Sequence, residues 1–296
     1  MAYKGAHMEI GTQEKVKVAL ITGCSSGIGH ATALAMQDAG FHVVATGPKL
    51  DELVDLRDQG CEIVELDVTE EEQRQNAVHA AERHHGAVDV LVNNTRYGQY
   101  GPIEEIPLEA IRWQFEVNVF GMIRMSQLVL PAMRHQHEGR IINLSSIAGE
   151  IEQPGAGIYH ATKHAIEAID AALRVEVEDF GIRVIGIQPG PVNTNFDDVA
   201  AASIPNTGPD SPYLTFKENM REYTHYLARQ GRTGVLEPED VAETIVEAAT
   251  DEDPDTRYHV GMWSKTGSIL SKITPDSIWD AAMRSQVPPH ERKHHH

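Results

Sequence analysis

The sequence predicts an α/β fold in which one doubly wound parallel sheet is flanked by helices. Short β-branched apolar runs alternate with helical patterns along most of the 296 residues, without internal repeats or low-complexity linkers. Polar residues and glycines cluster after the predicted strands, and open parallel sheets bind their ligands at the carboxyl ends of strands. We therefore expect one domain whose functional residues follow its strands.

The first βαβ unit is the best-defined part of this pattern. Residues 16–22 form an apolar run suited to a buried strand, and residues 41–46 form the next strand. Between them lie a helix with an apolar stripe and, before it, the turn Gly23-Cys24-Ser25-Ser26-Gly27-Ile28-Gly29. This arrangement is typical of a Rossmann-type domain that binds a dinucleotide. A glycine-rich turn without a ligand is the alternative.

The three glycines of this turn have separate expected roles. Gly23 permits the tight exit from the strand, Gly27 lets a phosphate approach the backbone, and Gly29 lets helix and strand pack closely. The helix N-terminus adds unpaired N–H groups and a positive dipole end. The turn is therefore predicted to bind a pyrophosphate.

The remaining elements continue this alternation over residues 15–263, which we assign to a single Rossmann-type domain. Further helices are predicted over residues 50–58, 70–85, 108–134, 157–170 and 238–250, and strands over residues 62–66, 88–92, 140–144, 183–187 and 258–262. Residues 195–235 interrupt the pattern with helical stretches at 197–202 and 213–230, so we expect an inserted helical substrate loop. A packing appendage or an oligomer contact is the alternative.

Both ends of the chain lie outside the expected domain. Residues 1–14 lack periodicity and are expected to form a disordered or expression-derived arm. Residues 264–296 form a tail whose final histidines look like the remains of a purification tag. The apolar residues of the tail are candidates for contact with the substrate mouth or with a neighbouring subunit.

The composition disfavours several classes of function. The net charge of −19, from 44 acidic and 25 basic residues, argues against nucleic acid and anionic membranes as partners. Two cysteines give no disulfide framework, and no leader or long apolar stretch is evident, so we expect a cytoplasmic protein without a membrane span. No histidine has an acidic or cysteine partner at metal-ligand spacing, which predicts no metal site.

A second motif lies in the predicted helix over residues 157–170. Tyr159 and Lys163 are four residues apart and therefore project from the same face of that helix. A lysine ammonium stabilises the phenolate and lowers the tyrosine pKa from about 10, so the pair suits proton exchange with a substrate oxygen. An amphipathic helix with both residues at its rim is the alternative.

Taken in order, these motifs resemble those of the classical short-chain dehydrogenase/reductase family from residue 15 to about residue 261. Besides the turn at residues 22–29, the resemblance is carried by Asp67-Val68, Asn93-Asn94, Asn118, Ser146, Tyr159 with Lys163, and Pro189-Gly190-Pro191-Val192-Asn193-Thr194. The turn and the long insertion look most similar to the hydroxysteroid and retinol dehydrogenase branch.

The resemblance implies a catalytic set of four residues. Tyr159 would exchange the proton with the substrate oxygen, and Lys163 would lower the tyrosine pKa and hold the nicotinamide ribose. Ser146 would hydrogen-bond the substrate oxygen, and it is chosen over Ser145 because its distance of 13 residues from Tyr159 (159 − 146) matches the family. Asn118 would hold a water that links Lys163 to solvent.

The resemblance also implies which residues contact the cofactor. Asp67 would accept a hydrogen bond from the adenine amino group, and Thr194 would contact the nicotinamide carboxamide. The expected set is Gly23, Ser25, Ser26, Gly27, Ile28, Gly29, Lys49, Asp67, Val68, Asn94, Tyr159, Lys163, Pro189, Gly190, Val192 and Thr194.

Two positions depart from the family pattern. Thr95-Arg96 follows Asn94 where the family has Ala-Gly, so Arg96 points away from the cofactor, occupies its space or contacts a phosphate. Gly47 stands where an acidic residue would select NAD, and Lys49 nearby is able to attract a 2′-phosphate. We therefore expect NADP as the cofactor, with NAD as the alternative.

Together these features predict an NAD(P)-dependent oxidoreductase that interconverts a secondary alcohol and a ketone or aldehyde. Aromatic and aliphatic residues of the insertion indicate a moderately apolar small-molecule substrate, and the resemblance implies a homodimer or homotetramer. A catalytically weak dinucleotide-binding or sensor protein of the same fold is the alternative, because Thr95-Arg96 alters the cofactor region.

Overall fold

One parallel sheet forms the centre of the molecule, in a computed structural model that describes residues 16–227 and 234–287. Within these residues the strands are β1 (Val18–Ile21), β2 (His42–Gly47), β3 (Glu62–Glu65), β4 (Val90–Asn93), β5 (Gly139–Leu144), β6 (Ile182–Pro189) and β7 (Arg257–Val260). They form a seven-stranded sheet in the order β3-β2-β1-β4-β5-β6-β7, with every pairing parallel. The predicted doubly wound α/β class is confirmed.

Helices cover both faces of this sheet and extend beyond its last strand. In the described part of the chain they are α1 (Gly27–Asp38), α2 (Val54–Asp58), α3 (Glu71–His85), α4 (Leu108–Phe115), α5 (Gly121–Gln136), α6 (Gly157–Val177), α7 (Phe196–Ser203), α8 (Leu214–Leu227), α9 (Pro238–Thr250), α10 (Met262–Ile273) and α11 (Asp276–Gln286).

The core has one layer on each face of the sheet because strand side chains alternate between the two faces. Ala19 and Ile21 of β1 pack in the layer that contains α1 and α9. Val18 and Leu20 pack in the opposite layer, with apolar residues of α3 and α5. Since β1 is buried on both faces, its sequence is a continuous apolar run rather than an alternating one.

The strand order places the loops after β1 and β4 side by side. The chain moves outward from β1 to β3 in one direction and from β4 to β7 in the other. Such a reversal leaves a crevice at the carboxyl ends of the two central strands, which is where open α/β sheets bind ligands. The glycine turn follows β1 at this crevice, and residues 94–96 follow β4 there.

The predicted helix over residues 108–134 is interrupted in the structure. α4 ends at Phe115, a π-helical turn covers Glu116–Phe120, and α5 begins at Gly121. Asn118 lies in this turn, where its side chain bonds the backbone of a neighbouring loop. The prediction of one uninterrupted helix was therefore wrong, since periodicity does not register a tertiary contact of this kind.

Other boundaries differ by smaller amounts. The predicted 50–58 helix begins as a 3₁₀ turn at Leu50–Leu53. α6 extends past residue 170 to Val177 and is followed by Gly181, whose φ of +72° suits glycine. The tail from residue 264 is largely helical, in α10 and α11. Residues 1–15, 228–233 and 288–296, on which the predicted arm and parts of the insertion and tail fall, lie outside the described residues.

Within the described ranges, no helix combines the length and apolar character needed to cross a membrane. The same ranges contain no group of three or more histidine, cysteine, aspartate or glutamate side chains arranged to hold a metal ion. Cys24 and Cys61 are both buried free thiols.

Candidate active site

A cavity of about 450 Å³ opens beside the crevice. Its walls come from separate parts of the chain: the glycine turn, the ends of β5 and β6, the start of α6, the insertion and the C-terminal helices. Of the predicted catalytic residues, Ser146 and Tyr159 line this cavity. Of the predicted cofactor residues outside that set, those on its wall are Ile28, Pro189, Gly190, Val192 and Thr194.

Tyr159 and Lys163 project from one face of α6, as their spacing predicts. Lys163 is only 1% exposed, and its Nζ donates a hydrogen bond of 2.6 Å to the carbonyl oxygen of Leu144 at the end of β5. The same Nζ lies 5.7 Å from the centroid of the Tyr159 ring. The lysine is thus fixed between the sheet and the phenol.

Burial dominates the protonation of this pair. It raises the pKa of Tyr159 to about 12, while the Arg96 guanidinium and a hydrogen bond with Ser146 act in the opposite direction. Burial, assisted by the positive charge of Arg96, lowers the pKa of Lys163 to about 7. The cation that acts to lower the tyrosine pKa here is Arg96, and the expectation that Lys163 lowers it stays a prediction.

Ser146 caps the short 3₁₀ turn Ile147–Gly149 that follows β5. Its Oγ accepts a hydrogen bond of 3.2 Å from the backbone N–H of Ala148. Ser146 is part of the cavity wall. The neighbouring Ser145 hydroxyl is buried and has no hydrogen-bond partner among the described residues. The structure thus brings Ser146 together with Tyr159, the pair that the spacing of 13 residues selects.

Asn118 connects the loop after β4 to α6. Its Oδ1 accepts from the backbone N–H of Tyr97 at 2.7 Å, and its Nδ2 donates to the Tyr97 carbonyl at 2.8 Å and to Thr162 Oγ1 at 3.1 Å. Because Thr162 precedes Lys163 on α6, these bonds position the helix relative to the crevice. The proposed water link from Asn118 to Lys163 stays a prediction.

The glycine turn is shaped by a close approach between β4 and α1. Gly23 and Gly27 have φ values of +71° and +56°, a region that favours glycine. A Cβ on Gly29 would lie 2.2 Å from the Gly23 carbonyl oxygen and 2.4 Å from Asn94 Nδ2. That Nδ2 donates to the carbonyl oxygens of Thr22 and Gly23, at 2.9 Å each. Both predicted conformational roles, at Gly23 and at Gly29, agree with this geometry.

The other predicted cofactor residues lie around this turn. Ser26 is exposed at the start of α1, and the Ser25 hydroxyl lies 2.5 Å from where a Cβ on Gly47 would be. Lys49 is exposed and donates a 2.8 Å hydrogen bond to Glu52. Asp67 Oδ1 accepts from the backbone and hydroxyl of Thr69, while Val68 packs against Gly121.

The pocket has further walls that were only partly anticipated. From the tail, the residues on the wall are Trp263, Thr266, Gly267, Leu270, Trp279, Ala282 and Met283. Leu270, Trp279 and Met283 were among the apolar tail residues considered for the substrate mouth. The sequence did not indicate Trp263 as a cavity residue, because it directly follows the predicted last strand. Its place on the cavity wall depends on where α10 begins.

Arg96 and Asp197 are two charged residues on the cavity wall; the sequence left the direction of Arg96 open and gave no role to Asp197. Arg96 Nη2 donates a 3.3 Å hydrogen bond to Thr194 Oγ1, and its Cζ lies 5.2 Å from the Phe196 ring centroid. Burial raises the pKa of Asp197 to about 6, an effect that the Arg96 charge opposes. Arg96 therefore does not point away from the crevice.

An acidic face continues along α6 beyond Lys163. Glu167 forms a 2.7 Å ion pair with Arg257, and Asp170 is 3% exposed and accepts a 2.6 Å hydrogen bond from Asn143 Nδ2. Burial raises the pKa of Asp170 to about 8. Glu167 and Asp170 both act to raise the pKa of Lys163, against the larger effect of its burial.

The comparisons with known proteins show the family of this chain. A model of the short chain dehydrogenase family matches residues 17–203. The chain is 33% identical to a probable short-chain type dehydrogenase/reductase, VdlC, of Helicobacter pylori, over 91% of this chain and 97% of that protein. This chain belongs to the short-chain dehydrogenase/reductase family. It is also 32% identical to a 3-ketodihydrosphingosine reductase of Bacteroides thetaiotaomicron, over 90% of this chain and 97% of that protein.

Two solved structures resemble this chain over most of their length. One from Burkholderia phymatum, in complex with NAD, has a TM-score of 0.74 at 26% identity and covers 95% of this chain and 98% of its own. A serine dehydrogenase complexed with NADP⁺ has a TM-score of 0.71 at 25% identity, with 83% and 94% covered. The family and the fold of this chain are therefore established together.

The residues of the crevice fit a dinucleotide. Gly23 and Gly27 have positive φ values and carry no side chain of their own, and the N-terminus of α1 places its N–H groups at the turn. Asn94 Oδ1 is buried without a hydrogen-bond partner in the described part of the chain, which leaves an acceptor next to the turn. The turn thus offers polar groups that such a ligand requires.

Gly29→Ala is expected to lower the free energy of unfolding by about 1–3 kcal/mol, because the new Cβ would overlap the Gly23 carbonyl and Asn94. Urea denaturation measures the change. Gly157→Ala is the matched control, since its Cβ would meet nothing closer than Ile103 at 3.4 Å. Equal stabilities of the two variants would show that the close approach does not constrain the turn.

Asp170→Asn is expected to raise the Tm more at pH 8 than at pH 5. The difference between the two Tm gains should be at least about 3 °C. The unfolded carboxyl ionises near pH ~4, whereas burial raises the folded pKa to about 8. Stability from the protonated carboxyl is therefore lost as the pH rises between these values, and the amide removes that loss.

Thermal unfolding of Asp170→Asn at both pH values tests this pH dependence. Asp179→Asn serves as the control because Asp179 is exposed in the turn after α6. A Tm gain for Asp170→Asn that is the same at pH 5 and pH 8 would contradict the raised pKa.

Proposed function

We propose that this dehydrogenase interconverts a secondary alcohol and a ketone or aldehyde with NAD(P) as the hydride carrier. The observation that carries the proposal is the placement of Tyr159 and Ser146 on one cavity wall, next to a turn that fits a dinucleotide. Lys163 lies behind the phenol. When bound, the nicotinamide ring supplies or accepts the hydride, and the protein handles the proton.

Tyr159 would transfer the proton at the substrate oxygen, and Ser146 would donate a hydrogen bond to the same oxygen. The serine hydroxyl stabilises negative charge as it develops there, which is the interaction that lowers the barrier. Because burial raises the pKa of Tyr159 to about 12, the phenol keeps its proton at neutral pH. The geometry therefore favours carbonyl reduction near pH 7, with alcohol oxidation improving at higher pH.

Lys163 would support this chemistry mainly by position. Its bond to the Leu144 carbonyl holds Nζ below the phenol, where it is able to reach a ribose hydroxyl of the cofactor. With a pKa of about 7 it is able to give or accept a proton near neutral pH. Asn118, through Thr162, would keep the helix at the distance from the crevice that this requires.

The substrate would be moderately apolar. The cavity wall is rich in aromatic and aliphatic side chains from the insertion and the tail, including Phe196, Tyr223, Trp263, Leu270 and Trp279. One relative, named a 3-ketodihydrosphingosine reductase, suggests that a long-chain amino ketone belongs in a substrate panel beside steroids, retinoids and short alcohols. A homodimer or homotetramer in the cytoplasm is part of the same proposal, and size-exclusion chromatography with light scattering tests the assembly.

Tyr159→Phe is expected to lower turnover by at least about 100-fold, since general acid catalysis contributes about 10²–10⁴-fold. Affinity for NADPH, measured by fluorescence titration, should stay nearly unchanged because the ring and its packing remain. Tyr100→Phe removes a phenol from the same cavity, 6.0 Å from the Tyr159 ring, and should retain measurable turnover. Unchanged turnover in Tyr159→Phe would refute the assigned role.

A catalytically weak dinucleotide-binding protein is the second candidate, favoured by the unusual Thr95-Arg96 pair next to the turn. The same panel distinguishes the two candidates. Wild-type protein that binds NADPH tightly but reduces no ketone or aldehyde in the panel would support the second.

NADP is proposed over NAD because Gly47 presents no carboxylate at the end of β2 and Lys49 lies close by. Glu52 competes for the Lys49 charge through their 2.8 Å hydrogen bond. Lys49→Ala should raise the KM for NADPH by about tenfold, the loss of one charge-assisted contact, and leave the KM for NADH unchanged.

Steady-state kinetics with both cofactors measures this preference. Lys17→Ala removes another exposed lysine, one that is paired with Glu138, and it controls for the change in net charge. A strong preference of the wild-type protein for NADH would overturn the assignment.

A further inference from the structure

Arg96 lies where the end of β4 packs against the glycine turn. Asn94 Nδ2 donates to the Gly23 carbonyl oxygen at 2.9 Å. Thr95 is also in contact, since its Oγ1 lies 3.0 Å and its Cα 3.1 Å from the position that a Cβ on Gly23 would take. The backbone that carries Arg96 is therefore fixed to the first half of the turn.

The guanidinium of Arg96 reaches a residue that packs on the second half of the turn. Its Nη2 donates to Thr194 Oγ1 at 3.3 Å. Thr194 Cγ2 lies 2.9 Å from where a Cβ on Gly27 would be. The side chain of Arg96 thus spans the glycine turn from the β4 side to the β6 side.

The guanidinium is held in place but is only partly satisfied. An arginine has five N–H donors, and in the described part of the chain one hydrogen bond of Arg96 is found, to Thr194. The Phe196 ring supports the cation at 5.2 Å, and Asp197 interacts with it only over a longer distance. Arg96 is partly exposed on the cavity wall, and none of its nitrogens is a buried atom without a partner, so its remaining N–H donors are accessible to an anion.

We propose that Arg96 binds a phosphate of the pyrophosphate bridge of the dinucleotide, as a clamp over the glycine turn. Phosphate is the anion that the N-terminus of α1 would hold below it, and the planar guanidinium fork matches phosphate oxygens in a bidentate manner. In a chain with a net charge of −19, a local cation also offsets the repulsion that a phosphate would meet. This inference rests on the proposed dinucleotide site.

The sequence left three options open for this arginine, and the structure excludes one of them. Arg96 does not point away from the crevice, because it contacts Thr194 and Phe196 on the cavity wall. Contact with a phosphate would use the donors that the protein leaves unpaired. The third option, in which the side chain blocks the cofactor, predicts the opposite response to its removal and is separated from the clamp by experiment.

Equilibrium binding of three probes to the full chain tests the clamp by isothermal titration calorimetry. NADPH and ADP-ribose both contain the pyrophosphate, whereas adenosine lacks it. Arg96→Gln should weaken NADPH and ADP-ribose by about 10–100-fold, the value of charge-assisted hydrogen bonds, and leave adenosine unchanged. The affinity of the variant should also depend less steeply on salt concentration than that of the wild type.

Two further variants complete the test. Arg96→Gly restores the residue typical of the family and should reproduce the loss even if Arg96→Gln folds poorly, with circular dichroism as the check of folding. Arg112→Ala removes an exposed arginine on α4 that pairs with Glu109 at 3.7 Å, and it should bind all probes like the wild type.

Each other outcome overturns the clamp in a different way. Tighter NADPH and ADP-ribose binding by the Arg96 variants would show that the side chain blocks the cofactor. Unchanged binding of both, with a raised KM only for acidic substrates, would assign Arg96 to a substrate anion. Wild-type protein that binds neither NADPH nor NADH would refute the proposed function itself, and the clamp with it.

Discussion

The close approach of α1 to the end of β4 is the constraint on which the rest of the site depends. Gly29 has no side chain, so Asn94 is able to bond the carbonyl oxygens that end β1. This bond fixes the glycine turn and the residues after Asn94 in one arrangement. From there Arg96 reaches Thr194 of the loop after β6, so that three strand ends are joined around a single crevice.

Burial then decides the charges around this crevice. Tyr159, Lys163 and Asp170 lie on one face of α6 against the sheet, and removal from water favours the neutral form of each. Their charged neighbours shift these values less than burial does. On this face the phenol keeps its proton at neutral pH, and the lysine titrates near pH 7. That combination suits proton transfer to a carbonyl oxygen.

The substrate side of the cavity is built from parts outside the regular strand–helix alternation. Phe196 and Tyr223 come from the insertion, and Trp263 and Trp279 come from the C-terminal helices. Residues of the insertion pack with Tyr159 at the start of α6, and the C-terminal helices add further apolar side chains to the cavity wall. Under the proposed function, the framework would supply the chemistry and these added segments would select the substrate.

The sequence by itself determined the sheet class, the order of most elements, and the proximity of Ser146 to Tyr159. Hydrophobic periodicity, the glycine spacing and the Tyr159–Lys163 pair are local features, and local geometry enforces them. Only the tertiary structure decided the π-helical turn at Asn118, the direction of Arg96 and the pKa of Tyr159. Each depends on contacts between residues far apart in sequence. The periodicity of a sequence does not show which of these residues will be buried against one another.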